Sequence, residues 1–296
     1  MTALSAVVAI TLSLTPITEA EPALGLSDAP LERGSTLAIP SPPSEPSPRP
    51  DGQTGQAQSV YRISPVVDGL VIGISSLAII LPTAYGSQIV HPRCPCSPDE
   101  VNAFDRHVIG NNSAFAGTLS DVSQLLAVAA PIVVDAVDVG FHGEFVEDMV
   151  VYAEATTVSG AILTLTKYAV QRPRPYAYAA GTSAASISSA AAYTSFYSGH
   201  TALVFTALTA GGMTLTLRHG PRVWPWLVTA LVGTSVALER VFAGQHFYSD
   251  VIFGAVAGAG VGVLVPLLHA QVGPVLSHVA VTPRPAGVQV SWAQAF

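Results

Sequence analysis

Arg240-Val-Phe-Ala-Gly-Gln-His246-Phe-Tyr-Ser-Asp250 leads straight into an uncharged run, Val251 to Leu268. That run is near the roughly 17–25 residues that a transmembrane helix requires. Its small residues, as in Gly254-Ala-Val-Ala-Gly258, permit close helix packing in lipid. His246 and Asp250 stand at i and i+4, so a helix would bring them onto one face, one turn apart. Asp250 would then accept a hydrogen bond from one imidazole nitrogen and fix the tautomer, leaving the other nitrogen free as a nucleophile. The same spacing suits a plain helix-surface pair, and alone it decides nothing.

Two further polar stretches stand out from apolar surroundings. Ser198-Gly199-His200 opens a run from Thr201 to Leu217. Backbone N–H groups at a helix N-terminus suit an anion, and glycine lets the backbone approach it. His200 is placed to serve as a general acid. The plainer reading is an N-cap serine beside an interfacial histidine. Lys167-Tyr-Ala-Val-Gln-Arg-Pro-Arg174-Pro175 closes another apolar run. Pro173 must break that helix, which puts Arg174 on a loop free to turn back toward Lys167. A point charge and a planar fork suit phosphoryl oxygens. The alternative for Lys167, Arg172 and Arg174 is a basic edge snorkelling to headgroups.

Further apolar runs lie at Gly69–Val90, Val122–Val139, Met149–Thr166 and Val223–Leu238, with an Ala/Ser-rich loop at Tyr176–Ser198. The expected fold is all-α: a bundle of about six helices, embedded in a membrane. Composition agrees. Half of the 296 residues are apolar and a tenth are charged, against roughly a quarter in soluble domains. Mean hydropathy is +0.49. A buried core in a soluble protein is the competing reading, and Asp135, Asp138 and Glu154 speak for it. The net charge of −7 argues against a nucleic-acid partner, which calls for a basic face.

The chain divides into four parts. Residues 1–20 hold an apolar stretch, Ala6–Leu14, before Thr18-Glu-Ala20, and read as a signal peptide or N-terminal apolar segment. Residues 21–64, with Pro40-Ser-Pro-Pro43 and Pro46-Ser-Pro48, read as a disordered linker. Residues 65–270 form the bundle and 271–296 a tail, whose alternation around Pro283 and Pro285 suggests a short hairpin. Cys94 and Cys96 lack the histidines of a zinc site, and are either a small-loop disulfide or free thiols.

Taken together, the three polar stretches resemble the signature of the type 2 phosphatidic acid phosphatase / vanadium haloperoxidase superfamily: Lys-x6-Arg-Pro, Pro-Ser-Gly-His and Ser-Arg-x5-His-x3-Asp. Lys167 and Arg174-Pro175 match the first part. Ser198, Gly199 and His200 match the second, with Tyr197 in place of proline. Arg240, His246 and Asp250 match the third, with Glu239 in place of serine. The resemblance spans roughly residues 65–270. It implies that His246 is the nucleophile that forms a phosphohistidine, Asp250 its orienter, and His200 the acid that protonates the leaving group. Lys167, Arg174, Ser198, Gly199 and Arg240 would bind the phosphate. It implies metal-independent hydrolysis of a lipid phosphate or diphosphate, with no cofactor and with membrane lipids as surroundings. Two other functions fit the same residues: a haloperoxidase, in which the constellation would hold vanadate, and a catalytically inactive membrane scaffold.

The loop Arg218-His-Gly-Pro-Arg222 is basic, and the positive-inside rule puts it in the cytoplasm. The motifs lie at the other end of the helices. The expected location is therefore a bacterial cell envelope, in the inner membrane, with the site facing the periplasm.

Overall fold

The computed structural model describes residues 59–271, 279–284 and 287–292. The expected leader at 1–20, and the Pro/Ser-rich linker up to residue 58, lie outside the described residues. In chain order the helices are α1 (Pro65–Ala84), α2 (Gly86–Ile89), α3 (Ala103–Arg106), α4 (Ala114–Val139), α5 (Gly143–Val170), α6 (Ala184–Ile187), α7 (Gly199–His219), α8 (Trp224–Phe242) and α9 (Tyr248–His269). The tail forms the expected hairpin, β1 (Val279–Arg284) paired antiparallel with β2 (Gly287–Trp292). The Ala/Ser-rich loop carries 3₁₀ turns at Pro175–Tyr178 and Ala190–Tyr193 on either side of α6.

The long helices alternate in direction. Ser120, early in α4, meets Arg240 at the end of α8. Asp135, late in α4, meets Arg218 at the end of α7. The bundle also starts a little before the expected boundary at residue 65. Val60 and Tyr61 are buried against Val151, Ala155 and Val265, and Tyr61 bridges to Ala270.

Packing follows the rule for lipid rather than for water. Side chains between the helices are small or hydroxylated, whereas large apolar ones face outward. In α1 only Asp68 and Ser75 are buried, while Leu70, Ile74, Leu77 and Leu81 are exposed. Leu125, Leu231 and Val256 are 69%, 72% and 69% exposed. Water would penalise such a surface and acyl chains would not. α9 lies hard against α7. A Cβ on Gly258 would stand 2.2 Å from the Ala202 carbonyl oxygen, so only glycine fits there. The Thr206 hydroxyl of α7 stands 2.8 Å from Ser159 Oγ of α5 and 3.1 Å from the Gly258 carbonyl of α9.

Among the described residues, five segments are long and apolar enough to cross a bilayer: Pro65–Ala84, Ala114–Val139, Gly143–Tyr178, Gly199–His219 and Tyr248–His269. The expected sixth, in α8, is not among them. Trp224-Pro-Trp226 at one end and Glu239-Arg240 at the other dilute its apolar centre. α8 still packs along α4 and α7.

Of the acids that favoured a soluble reading, Asp135 and Glu154 are buried, and Asp138 is exposed but paired. Arg218 pairs with Asp135 at 3.1 Å, Asp138 at 3.2 Å, and also Asp148. His219 pairs with Asp138 at 2.8 Å. Glu154 lies near His269. Ionisable groups at membrane depth behave in this way, paired and facing the bundle interior.

Candidate active site

All eight expected site residues gather at one end of the bundle. Lys167 stands in the last turn of α5, which stops at Val170. Gln171 takes a left-handed φ of 47°, and Arg172 precedes Pro173, a position that disfavours helix. The chain then folds back over the helix ends. The Arg174 amide donates to the Ala192 carbonyl at 2.7 Å and the Ser195 amide to the Arg172 carbonyl at 3.0 Å.

Thr194 joins the first two cations. Lys167 Nζ donates to its carbonyl at 2.5 Å, and Arg174 Nη2 approaches its hydroxyl at 3.4 Å. Arg174 Nη1 also donates to Gln245 Oε1 at 2.6 Å, which ties the loop to the turn carrying His246. That turn needs Gly244, with φ of +66°, where a Cβ would lie 1.8 Å from the Asn111 carbonyl oxygen.

Arg240 reaches the site from the end of α8. Its Nη1 donates to Ser120 Oγ at 2.9 Å and stands 3.5 Å from Asp121 Oδ1. Its Nε is buried without a partner among the described residues. A buried, unmet donor of a cation suits an anion. Asp121 Oδ1 also lies 2.7 Å from His200 Nε2, in the first turn of α7. Ser198 caps that helix: its hydroxyl accepts from the Thr201 amide at 3.4 Å and is buried. Gly199 sits close under α5, where a Cβ would meet Leu163 at 3.1 Å.

The pairing of His246 with Asp250 differs from the helical one expected. α9 begins at Tyr248, so His246 lies in the preceding turn. Its Nδ1 stands 3.7 Å from Asp250 Oδ2, beyond hydrogen-bond reach. Nδ1 instead lies 2.8 Å from the Ser195 carbonyl oxygen. A carbonyl can only accept, so Nδ1 carries the hydrogen and Nε2 the lone pair. Asp250 is drawn back to cap its own helix. Its Oδ2 accepts from the Phe247 amide at 3.0 Å and from Ser195 Oγ at 2.5 Å. Burial, joined by the Lys167 and Arg174 charges, holds His246 well below the ordinary histidine value against the pull of Asp250.

Several partners were not anticipated. Arg172 Nη1 donates to Asp250 Oδ1 at 2.6 Å and its Nη2 to Asp105 Oδ2 at 2.9 Å. The guanidinium carbon lies 4.2 Å from the centre of the Phe247 ring. Asp105 is wholly buried. Burial would raise its carboxyl, but hydrogen bonds from Ser249, Arg172 and Asn102 outweigh this and hold it below the usual value. Ser195, Gln245, Ser120 and Asp121 complete the set. Arg172 and Gln245 sit inside the recognised motifs and were legible there. Asp105 and Asp121 come from distant segments with no spacing that links them to the motifs.

The two departures from the signature remove no ligand. Tyr197 is buried, and Glu239 Oε1 accepts from Ser235 Oγ at 3.0 Å within α8. Cys94 and Cys96 form a disulfide beside the site. The amides of Arg93 and Cys94 donate to the Tyr193 hydroxyl at 3.0 and 3.1 Å. A cleft of about 610 Å³ opens next to Gln245, lined also by Asn111, Asn112, Ser183, Ser186 and Ser189.

No curated protein and no solved structure matches the chain. Residues 148–273, which contain all three motifs, match the family model of the PAP2 superfamily, and that match supports the resemblance read from those motifs.

Proposed function

We propose that the chain hydrolyses a lipid phosphate or diphosphate through a phosphohistidine on His246. The match of residues 148–273 to the PAP2 superfamily model supports phosphatase-type chemistry. The observation that carries the reading is the hydrogen bond from His246 Nδ1 to the Ser195 carbonyl, which leaves Nε2 as the basic nitrogen of a ring on which the Lys167 and Arg174 charges act.

In this reading Lys167, Arg174 and Arg240 bind the phosphoryl oxygens, with the Gly199 amide at the N-terminus of α7. His246 Nε2 attacks phosphorus, and the bond to the leaving oxygen breaks. His200, held by Asp121, gives that oxygen its proton. Water then attacks the phosphohistidine with His200 as base, releasing phosphate and the free imidazole. Asp250 and Arg172 hold the turn that carries the nucleophile. The hydrolysis needs no metal. The outward apolar faces hold the enzyme among lipids, and the serine- and asparagine-lined cleft suits a polar headgroup.

Two measurements on the detergent-solubilised full chain test the reading. Phosphate release is measured over phosphatidic acid, phosphatidylglycerol phosphate, a polyprenyl diphosphate and a lipid A phosphate. Brief turnover with ³²P-labelled substrate is quenched in base, where phosphohistidine survives. Label should be retained by the wild type, be lost on acid treatment, and be absent from His246→Ala. Phosphate release without any trapped label in the wild type, or with label in His246→Ala, refutes the mechanism.

A further inference from the structure

At the end of the bundle opposite the phosphate site, Asp68 of α1, Glu154 of α5 and His269 of α9 converge. All three are buried, and one ligand atom from each lies within 4.8 Å of the others. His269 Nε2 stands 3.5 Å from Asp68 Oδ1 and 3.6 Å from Glu154 Oε2. No hydrogen bond joins Glu154 Oε2 to any described residue, although Glu154 is only 7% exposed.

The other atoms of these side chains are already committed. His269 Nδ1 lies 2.9 Å from the Val265 carbonyl, so Nδ1 carries the hydrogen and Nε2 faces the carboxylates. Asp68 Oδ2 accepts from the Ser64 amide at 2.8 Å, which turns Oδ1 toward His269. A metal-binding histidine is ordinarily fixed in this way, with its remote nitrogen donating to a carbonyl. A buried carboxylate oxygen left without a donor is costly, and an imidazolium would be expected to close on it. The two separations from His269 are instead those of ligands around an ion, and the two carboxylate oxygens lie within 4.8 Å of each other. Metal–ligand bonds of about 2.0–2.2 Å at tetrahedral angles place neighbouring ligand atoms roughly 3.3–3.6 Å apart.

We propose that Asp68, Glu154 and His269 form a three-ligand site for a divalent cation of the zinc type, with water in the fourth position. One imidazole and two carboxylates are a donor set suited to such ions. The ion would neutralise two buried carboxylates and clip α1 to α5 and α9. α1 has reason to need a clip, because Asp68 and Ser75 are its only buried residues. The role is structural and lies outside the phosphate chemistry.

The test uses the full chain without a histidine tag, stripped with chelator in detergent and then incubated with zinc. After desalting, metal content is measured by mass spectrometry and thermal unfolding is followed with and without zinc. The wild type should retain about one equivalent, and zinc should raise its Tm. Glu154→Gln and His269→Gln should each bind at least about tenfold more weakly and show no zinc-dependent shift. If His269→Gln does not fold, the wild-type titration and Glu154→Gln decide. A wild type that retains no zinc and whose Tm ignores it overturns the proposal in favour of an imidazolium bridge. Retention by both variants equal to that of the wild type overturns it in favour of binding elsewhere.

Discussion

His246 Nδ1 donates to the carbonyl oxygen of Ser195 at 2.8 Å. The carboxylate of Asp250 stands back at 3.7 Å and instead binds the Ser195 hydroxyl, the Phe247 amide and Arg172. Where a carboxylate alone fixes the tautomer of a catalytic histidine, its amide variant loses about 10⁴-fold in kcat. Here a backbone carbonyl fixes it. Asp250→Asn should therefore lose about 10²-fold, whereas His246→Ala should lose at least about 10⁴-fold through loss of the nucleophile. Rates are compared per folded molecule. An Asp250→Asn enzyme as inactive as His246→Ala would mean that the carboxylate acts directly on the imidazole.

Arg172 carries the second prediction. It neutralises two carboxylates, Asp250 and Asp105, both wholly buried. Its removal leaves those charges uncompensated, and breaking a buried pair in this way costs about 3–5 kcal/mol. Arg172→Met should lower unfolding stability by that order. Arg172→Lys should recover little, because one ammonium cannot reproduce a fork spread over two acids. Thermal or denaturant unfolding in detergent measures it, and a loss below about 1 kcal/mol would mark the triad as solvated.

Much of this was legible in the sequence, for a physical reason. Lys167, Arg174, His200, Arg240, His246 and Asp250 are polar residues set at helix ends in an apolar chain, where each needs a partner. Their spacing along the chain survives folding because each group lies within one or two turns of its motif. The bundle was legible from its apolar runs. The runs themselves did not show that α8 falls outside the segments apolar enough to cross a bilayer, or that Arg218 is paired with Asp135, Asp138 and Asp148. Asp105 and Asp121 were invisible because only tertiary packing brings α3 and α4 to the motifs. The i, i+4 spacing of His246 and Asp250 misled because Asp250 satisfies the first turn of α9, so the helix starts after His246.

A third prediction concerns pH. Burial and two cations hold His246 well below the ordinary histidine value of about 6.5. Below that value the unfolded chain takes up a proton that the folded chain refuses. Stability contributed by neutral His246 is therefore complete above about pH 6.5 and falls as pH drops toward the folded value. The slope from one such group is at most about 1.4 kcal/mol per pH unit. Asp105, held below its usual value, adds a loss of the same sign in a more acidic range. Unfolding free energies between pH 7 and 5 should fall more steeply for the wild type than for His246→Gln. Equal slopes would show that His246 titrates alike in both states.

The last prediction is orientation. Arg218 is the centre of the basic loop, yet three carboxylates surround it, so its weight in the positive-inside rule is reduced. A separate observation points the same way as the rule. The Cys94–Cys96 disulfide lies at the active-site end, bound through Arg93 and Cys94 to Tyr193. Disulfides persist in oxidising compartments outside the cytoplasm. The expected orientation therefore has the site facing outward and the Arg218–Arg222 end facing the cytoplasm. α1 begins at the end of the bundle opposite the site, where Asp68 meets His269, and that end would be the cytoplasmic one. Residues just before α1 are then cytoplasmic, which a leader cleaved at Ala20 would not allow. Reporter cysteines settle it in intact cells, in a background with Cys94→Ser and Cys96→Ser. Ala184→Cys should react with a membrane-impermeant maleimide, and Gly220→Cys should react only after permeabilisation. The reverse pattern would place the phosphate chemistry in the cytoplasm and restore the cleaved leader as a consistent reading.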